Sequence, residues 1–303
     1  MKRLRLVPWN IAASAAILLP LLQPVTAFSQ TSTTSPTRLY ADSKLVSNDR
    51  ISVEIVGKGP DVVLIPGLAS SRETWRHTAG RLRDGYRLHL VQINGFAGDA
   101  AQANATGPVF DPTANAIDAY LSKFGHPVAV VGHSLGGTLA LAIAEQHPGH
   151  ISKLMLVDTL PFYGVIFGGP SATPNTVRPM VATMKAHMTG PMPDAMVQNM
   201  AGQMVTSPDD VARLAGWMKA SDPAVVSTAM TDDMLADLRP DLGRVKIPVT
   251  VLYETARGNA VKVGYAALPN PTLVDVPGAK HFLMYDQPAP FDAALDRFLS
   301  EKP

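Results

Sequence analysis

The segment Pro127-Val-Ala-Val-Val-Gly132-His133-Ser134-Leu135-Gly136-Gly137-Thr138 limits this chain to few folds. Val128 to Val131 is an unbroken apolar run, the pattern of a short strand buried on both faces, and Leu139 to His147 reads as an amphipathic helix. Between them lies G-x-S-x-G. A strand that turns sharply into a helix at a serine leaves the hydroxyl exposed above a sheet edge, poised as a nucleophile. Gly132 and Gly136 flank the turn because side chains there would collide with a backbone held in a strained conformation.

The remaining chain alternates strand and helix patterns. Ile51 to Val56 alternates apolar and polar residues, as a half-buried strand does, and Val62 to Ile65 is a continuous apolar run. Arg72 to Arg83 reads as helix and Tyr86 to Ile93 as strand. Pro112 to Phe124 reads as helix, with Asp111 as N-cap and Pro112 in the first helical position. Leu154 to Val157 is the next strand. From Pro161 to Pro240 no strand pattern appears and Pro and Met are dense. Alternation then resumes with strand Ile247–Tyr253, helix Val261–Leu268, strand Thr272–Val276 and a closing helix over Pro290–Leu299. Such alternation predicts a mainly parallel α/β sheet with helices on both faces. The segment 161–240 is then a helical insertion over one end of the sheet, a lid. Within it Met180, Met184, Met188, Met192, Met196, Met200 and Met204 recur every fourth residue, broken by Pro191 and Pro193. They predict two short helices whose methionine faces pack on the domain below, line a deformable apolar pocket, or do both.

The N-terminus carries an export signature. Lys2, Arg3 and Arg5 precede the apolar stretch Ile11–Leu22, and Val25-Thr26-Ala27 offers a small-residue cleavage site. Pro20 and Pro24 interrupt the stretch, which falls short of the ~20 residues a membrane span needs, so cleavage is expected rather than anchoring. Residues 1–27 are assigned as signal peptide, 28–48 as a flexible lead-in, 49–160 and 241–303 as the two parts of one core, and 161–240 as the insertion. The mature protein is expected in the periplasm or outside the cell. With no cysteine in the chain, disulfides, thiolate metal sites and cysteine nucleophiles are excluded. Loss of the leader removes three positive and no negative charges, taking the formal charge from +1 to −2. That balance points neither to nucleic acid nor to an anionic membrane surface.

Serine at its ordinary pKa needs a base within reach. Of the 8 histidines, His281 in Val276-Pro-Gly-Ala-Lys-His281-Phe-Leu-Met-Tyr-Asp286 lies in the loop between the last strand and the last helix. In a parallel sheet that loop opens on the same rim as Ser134. His133, beside the nucleophile, is expected to shape the turn. The oxyanion of a tetrahedral intermediate needs preorganised N–H donors. Leu135, following the nucleophile, supplies one. Leu68, in Ile65-Pro66-Gly67-Leu68-Ala69-Ser70, supplies the second, with Gly67 letting the chain turn close to the substrate.

On Pro66-Gly67-Leu68, the turn at Ser134 and Gly278-Ala-Lys-His281-Phe282, the chain from about residue 50 onward resembles the α/β-hydrolase fold superfamily, lid-bearing serine hydrolase and esterase branch. The resemblance implies chain order nucleophile, acid, histidine. It also implies an Asp three residues beyond a Gly ending the strand before the last. Here Glu254 stands in place of that Gly and Arg257 in place of that Asp, and arginine cannot accept an imidazole N–H. Two replacements are open. Asp158 ends the strand after the turn's helix, where some branches, the haloalkane dehalogenases among them, carry their acid. Glu254 ends the strand that usually supplies it. Asp158 is preferred and Glu254 kept as the alternative. Asp275, within a strand, and Asp286, beside the last helix, are less suited.

These residues predict a carboxylic-ester hydrolase acting through an acyl-enzyme on Ser134, without a cofactor or metal, on a small and apolar ester. Lactonase, thioesterase, aminopeptidase, C–C hydrolase and perhydrolase chemistry remain open within the fold, as does a non-catalytic binding protein on the same scaffold. An aminopeptidase would need lid acids for a substrate ammonium; Asp194, Asp209, Asp210, Asp222, Asp232 and Asp233 read instead as solvated helix starts and turns.

Overall fold

The computed structural model describes residues 38–188 and 190–301, so the leader assigned to residues 1–27 lies outside the described residues. Eight strands form one sheet: β1 (Lys44–Ser47), β2 (Ile51–Gly57), β3 (Asp61–Ile65), β4 (Arg87–Ile93), β5 (Val128–His133), β6 (Ile151–Val157), β7 (Val249–Glu254) and β8 (Thr272–Val276). Their spatial order is β1-β2-β4-β3-β5-β6-β7-β8. The β1–β2 and β2–β4 pairs are antiparallel; every later neighbour is parallel. The runs read as doubly buried strands are so: every residue of β3 and of β5 is buried.

Helices α1 (Arg76–Leu82), α2 (Phe110–Leu121) and α3 (Leu135–Gln146) lie in the first part of the chain. Helices α4 (Val165–Gly168), α5 (Pro174–His187), α6 (Asp194–Met204), α7 (Pro208–Ala220) and α8 (Pro223–Leu235) form the insertion between β6 and β7. Helices α9 (Gly258–Gly264), α10 (Leu283–Asp286) and α11 (Pro288–Ser300) complete the chain. Alternation along the strands builds two apolar layers. Val63, Ile65 and Val130 pack with Ile117, Leu139, Ile143 and Val261 from α2, α3 and α9. Val62, Leu64 and Val131 pack on the other face with Trp75, Ala79, Phe291 and Leu295.

Three sequence expectations change. The lead-in 28–48 was expected to be flexible, yet its described part contains β1, and buried Glu54 gathers it: the carboxylate accepts from Leu39 N and Tyr40 N at 2.8 Å and from Ser43 Oγ at 2.6 Å. For the same reason β2 is buried on both faces rather than half-buried, its Ser52 and Glu54 included. Helix α2 starts at Phe110, not Pro112, and Asp111 does not cap it. Its leading donors, Val109 N and Phe110 N, reach Asp232 of α8 at 2.7 and 3.3 Å instead.

The methionine row divides between two neighbours, one methionine ahead of its proline break. Met180 and Met184 on α5 pack with Phe162, Val177, Val181 and Met234 inside the insertion. Met188, Met192, Met200 and Met204 line a cleft over the sheet, and Met196 faces solvent.

Candidate active site

Ser134 stands between β5 and α3 with φ 52° and ψ −124°, a conformation costly for a residue bearing a Cβ. The surroundings impose it. Ser134 N donates to Val157 O at 3.0 Å, while Gly137 N and Thr138 N turn back onto Ser134 O at 2.8 and 3.1 Å. The turn closes only without flanking side chains: a Cβ on Gly132 would lie 2.4 Å from Gly136 O, and one on Gly136 the same distance from Ile65 O. The serine is thus held at the carboxyl end of a central strand.

Asp158 follows β6 and is fully buried. It too has positive φ, 45°, and its N–H continues the ladder to Leu252 O at 2.8 Å. This bend turns its carboxylate toward the rim. His281 Nδ1–H donates to Asp158 Oδ2 at 2.6 Å, leaving Nε2 as the ring's free acceptor. Glu254 N donates to Oδ1 at 3.2 Å. Burial works to raise the Asp158 carboxyl. The hydrogen bond from His281 and the charges of His281 and Arg257 outweigh it and hold the group below the usual range.

Arg257 is a partner of the acids, not a gap. Its Nε lies 2.7 Å from Glu254 Oε1 and 3.1 Å from Asp158 Oδ2. Glu254, the alternative acid, makes this pair with Arg257, and only Asp158 bonds the imidazole. The weaker candidates are occupied elsewhere: Asp275 accepts from Thr255 Oγ1 at 2.7 Å, and Asp286 from Thr206 N and Lys280 N at 2.8 Å.

The loop carrying His281 is fixed from two sides. His133 is completely buried, which together with the nearby His281 lowers its pKa to about 3, so the ring stays neutral. Its Nε2–H donates to His281 O at 3.0 Å. The residue before Ser134 therefore anchors the backbone of His281. On the other side Lys280 Nζ donates to Gly202 O and Val205 O at 2.7 and 3.1 Å, closing the C-terminus of α6 with a cation. The insertion and the histidine loop are tied together by these bonds.

Ser134 and His281 line one cleft, with no direct hydrogen bond between their side chains. Tyr163, which the sequence did not flag, stands beside Ser134 with its hydroxyl 3.2 Å from Thr159 Oγ1; burial pushes that hydroxyl well above its ordinary pKa. Leu68 borders the same cleft, and Leu135 begins α3 directly behind Ser134. Neither Leu68 N nor Leu135 N has a protein acceptor among the described residues. A carbonyl oxygen between them would meet two unused donors.

The cleft has two lobes. One is walled by Met188, Met192, Met200, Trp217 and Phe282. The other adds Tyr163, Gln203, Asp233, Glu254 and Arg257 to the apolar Ile166 and Phe167. Leu68, Ser134, Met204, Met230 and His281 belong to both. A neighbouring cavity shares Met188, Met192 and Met218 but reaches neither Ser134 nor His281.

Comparison with known proteins matches residues 62–294 to the Alpha/beta hydrolase family. The chain is similar to the pimeloyl-[acyl-carrier protein] methyl ester esterase of Chromobacterium violaceum, 29% identical over 246 residues, covering 78% of this chain and 93% of that protein. It superposes on bromoperoxidase from Bacillus anthracis with TM-score 0.71 at 21% identity, covering 86% of this chain and 100% of the other. A hydrolase from Pseudomonas aeruginosa aligns with TM-score 0.70 at 17% identity, over 86% and 99% of the two chains. These last two likenesses speak for the fold alone.

Proposed function

The chain belongs to the alpha/beta hydrolase family, and within it we propose a carboxylic-ester hydrolase with Ser134 as nucleophile, His281 as general base and Asp158 as the acid that orients it. The observation that carries this reading is the Asp158–His281 bond of 2.6 Å at the wall of the cleft that holds strained Ser134. Ester hydrolysis is supported by the curated relatives, which are named as methyl ester esterases. Their acyl-carrier substrate is not carried over.

The reaction proceeds in two halves. Ser134 Oγ attacks the ester carbonyl carbon while its proton passes to His281 Nε2. The amides of Leu68 and Leu135 take the negative charge on the carbonyl oxygen, and Asp158 stabilises the imidazolium. Collapse expels the alcohol, which leaves with the proton from His281. Water then attacks the acyl-serine, His281 accepting and returning its proton, and the carboxylic acid departs. The methionine lobe suits an apolar portion of the ester, because thioether side chains adapt to varied shapes.

Export to the periplasm or the medium belongs to the same reading, on Lys2, Arg3, Arg5 and the Ile11–Leu22 stretch. No helix among the described residues is long and apolar enough to cross a membrane.

A fluorophosphonate probe tests the proposal. Covalent labelling of Ser134 that disappears in Ser134→Ala and falls sharply in His281→Ala, with p-nitrophenyl ester turnover following it, is the expected result. A folded protein that takes no label at any pH is a binding protein on this scaffold. N-terminal sequencing of protein from fractionated cells tests export: a mature chain beginning after Ala27 is expected.

A further inference from the structure

Asp232 and Asp233 are adjacent in α8 and do opposite things. The carboxylate of Asp232 closes the start of α2 through Val109 N and Phe110 N. Asp233, 8% exposed, lines the lobe beside Ser134; the Thr138 hydroxyl lies near its carboxyl, and its Oδ1 has no hydrogen-bond partner among the described residues. It is not the solvated turn acid that the sequence suggested. A buried acceptor left unpaired costs a fold about 1–3 kcal/mol, so a carboxyl kept in this position at a cavity wall is explained by a ligand that supplies the missing donor.

The surroundings restrict that ligand. Arg257, the guanidinium of the lobe, contacts Glu254 and Asp158 through Nε. Those three side chains together carry one net negative charge before Asp233 is counted. A substrate carboxylate entering here would meet a net negative charge, whereas a hydroxyl or an amine would meet an unpaired acceptor. The opposite lobe offers methionine, tryptophan and phenylalanine and no carboxylate.

We propose that Asp233 is a specificity-determining residue of this site, binding a hydroxyl or amine on a two-ended ester whose other end is apolar. This rests on the ester-hydrolase reading and narrows its substrate class. Burial agrees with the geometry: it raises the Asp233 carboxyl to about 7, against a smaller opposing effect of the Thr138 hydroxyl, so the group can meet a neutral donor or give its proton to an amine and pair with the ammonium that results.

The experiment uses esters matched in length that end in methyl, hydroxyl or ammonium, with the variable end on the acyl side in one series and on the alcohol side in another. They are assayed on the wild type, Asp233→Asn and Asp233→Val. Each comparison is a ratio of kcat/KM within one variant, so a smaller folded fraction does not move it. In one series the wild type should favour a donor-bearing ester over its methyl partner by about tenfold or more. In Asp233→Val the ratio should fall to near one while the methyl ester is still cleaved. In Asp233→Asn a preference for hydroxyl should persist in part and one for ammonium should vanish, which tells the two donors apart. A wild type with no donor preference, or a preference that survives in Asp233→Val, overturns the subsite and leaves the esterase standing. Failure to cleave any ester overturns the esterase reading and this substrate class with it.

Discussion

Replacing Asp158 by Asn should be the most damaging single-atom change in the protein outside Ser134 and His281. The carboxylate serves three donors: Oδ2 accepts from His281 Nδ1 at 2.6 Å and faces Arg257 Nε at 3.1 Å, and Oδ1 accepts from Glu254 N at 3.2 Å. An amide has only one oxygen. Placed toward Glu254, it turns its NH₂ on both Arg257 and His281, and the imidazole must flip to the tautomer that cannot accept the serine proton. Placed toward His281, it keeps the tautomer but sets NH₂ against Glu254 N–H and removes the charge that stabilises the imidazolium. The corresponding Asp-to-Asn change in a serine protease triad, which leaves the imidazole in the wrong tautomer, costs about 10⁴ in kcat. We therefore expect kcat/KM on a p-nitrophenyl ester to fall by about 10³–10⁴, or about 4–5.5 kcal/mol of transition-state stabilisation. Arg257 keeps Glu254 as a partner, so the melting temperature should change far less than the activity. Glu254→Gln, which leaves the Asp158–His281 bond untouched, should cost less than about tenfold. The reasoning is refuted if Asp158→Asn retains most activity while Glu254→Gln loses orders of magnitude.

The other expectations address the scaffold. Gly136→Ala places a Cβ 2.4 Å from Ile65 O and should lower stability by about 1–3 kcal/mol, read by urea melts, and abolish fluorophosphonate labelling. Glu145 on α3 is 5% exposed, and burial, with the charge of Asp241 adding to it, raises its carboxyl from 4.5 to about 8. A raised folded-state pKa contributes stability below the unfolded value and loses it as pH climbs to the folded one. The melting-temperature advantage of Glu145→Gln over wild type should accordingly grow between about pH 4.5 and 8 and then level off. A difference independent of pH would contradict the assignment. Lys280→Met removes the cation at the end of α6 and should speed proteolysis of the insertion while lowering kcat severalfold; equal proteolysis rates would mean that the tie is inert.

What the sequence revealed and what it hid divide along the range of the interactions. Strands β3 and β5, the turn at Ser134 and the loop of His281 were readable because burial on both faces and tight turns leave marks within a few residues. The start of α2 was misplaced because Asp111 and Pro112 form a credible local cap, while the group that takes the donors, Asp232, is over a hundred positions away. Segment 38–48 looked flexible because the carboxylate that orders it belongs to Glu54, on the next strand. Asp233 looked like any acid near a helix end, since its face of α8 acquires meaning only against Ser134 and Tyr163. The methionine repeat announced an adaptable surface but not where it divides, since Met188, ahead of Pro191, already lines the cleft with Met192, Met200 and Met204.

Arg257 is the instructive failure, because residue-by-residue matching could register it only as a missing acid. Strands β6 and β7 are parallel neighbours, with Val157 opposite Leu252. One step on, Asp158 N bonds Leu252 O at 2.8 Å and Glu254 N bonds the Asp158 side chain at 3.2 Å. The two strand ends that can present an acid are therefore a single hydrogen bond apart. An imidazole suspended over this rim can be served from either without moving the histidine loop. Once β6 supplies the carboxylate, a second acid on β7 becomes a liability, since two buried like charges would raise each other's pKa. An arginine three residues beyond Glu254 meets that demand by bonding Glu254 and Asp158 together, keeping the orienting acid ionised beside its neighbour. With Asp158 as the proposed acid, Arg257 supplies the positive charge that two neighbouring carboxylates need. Arg257→Met should lower kcat more than it alters KM, and adding Glu254→Gln to it should restore part of the loss. A double variant no better than the single would break the link between them.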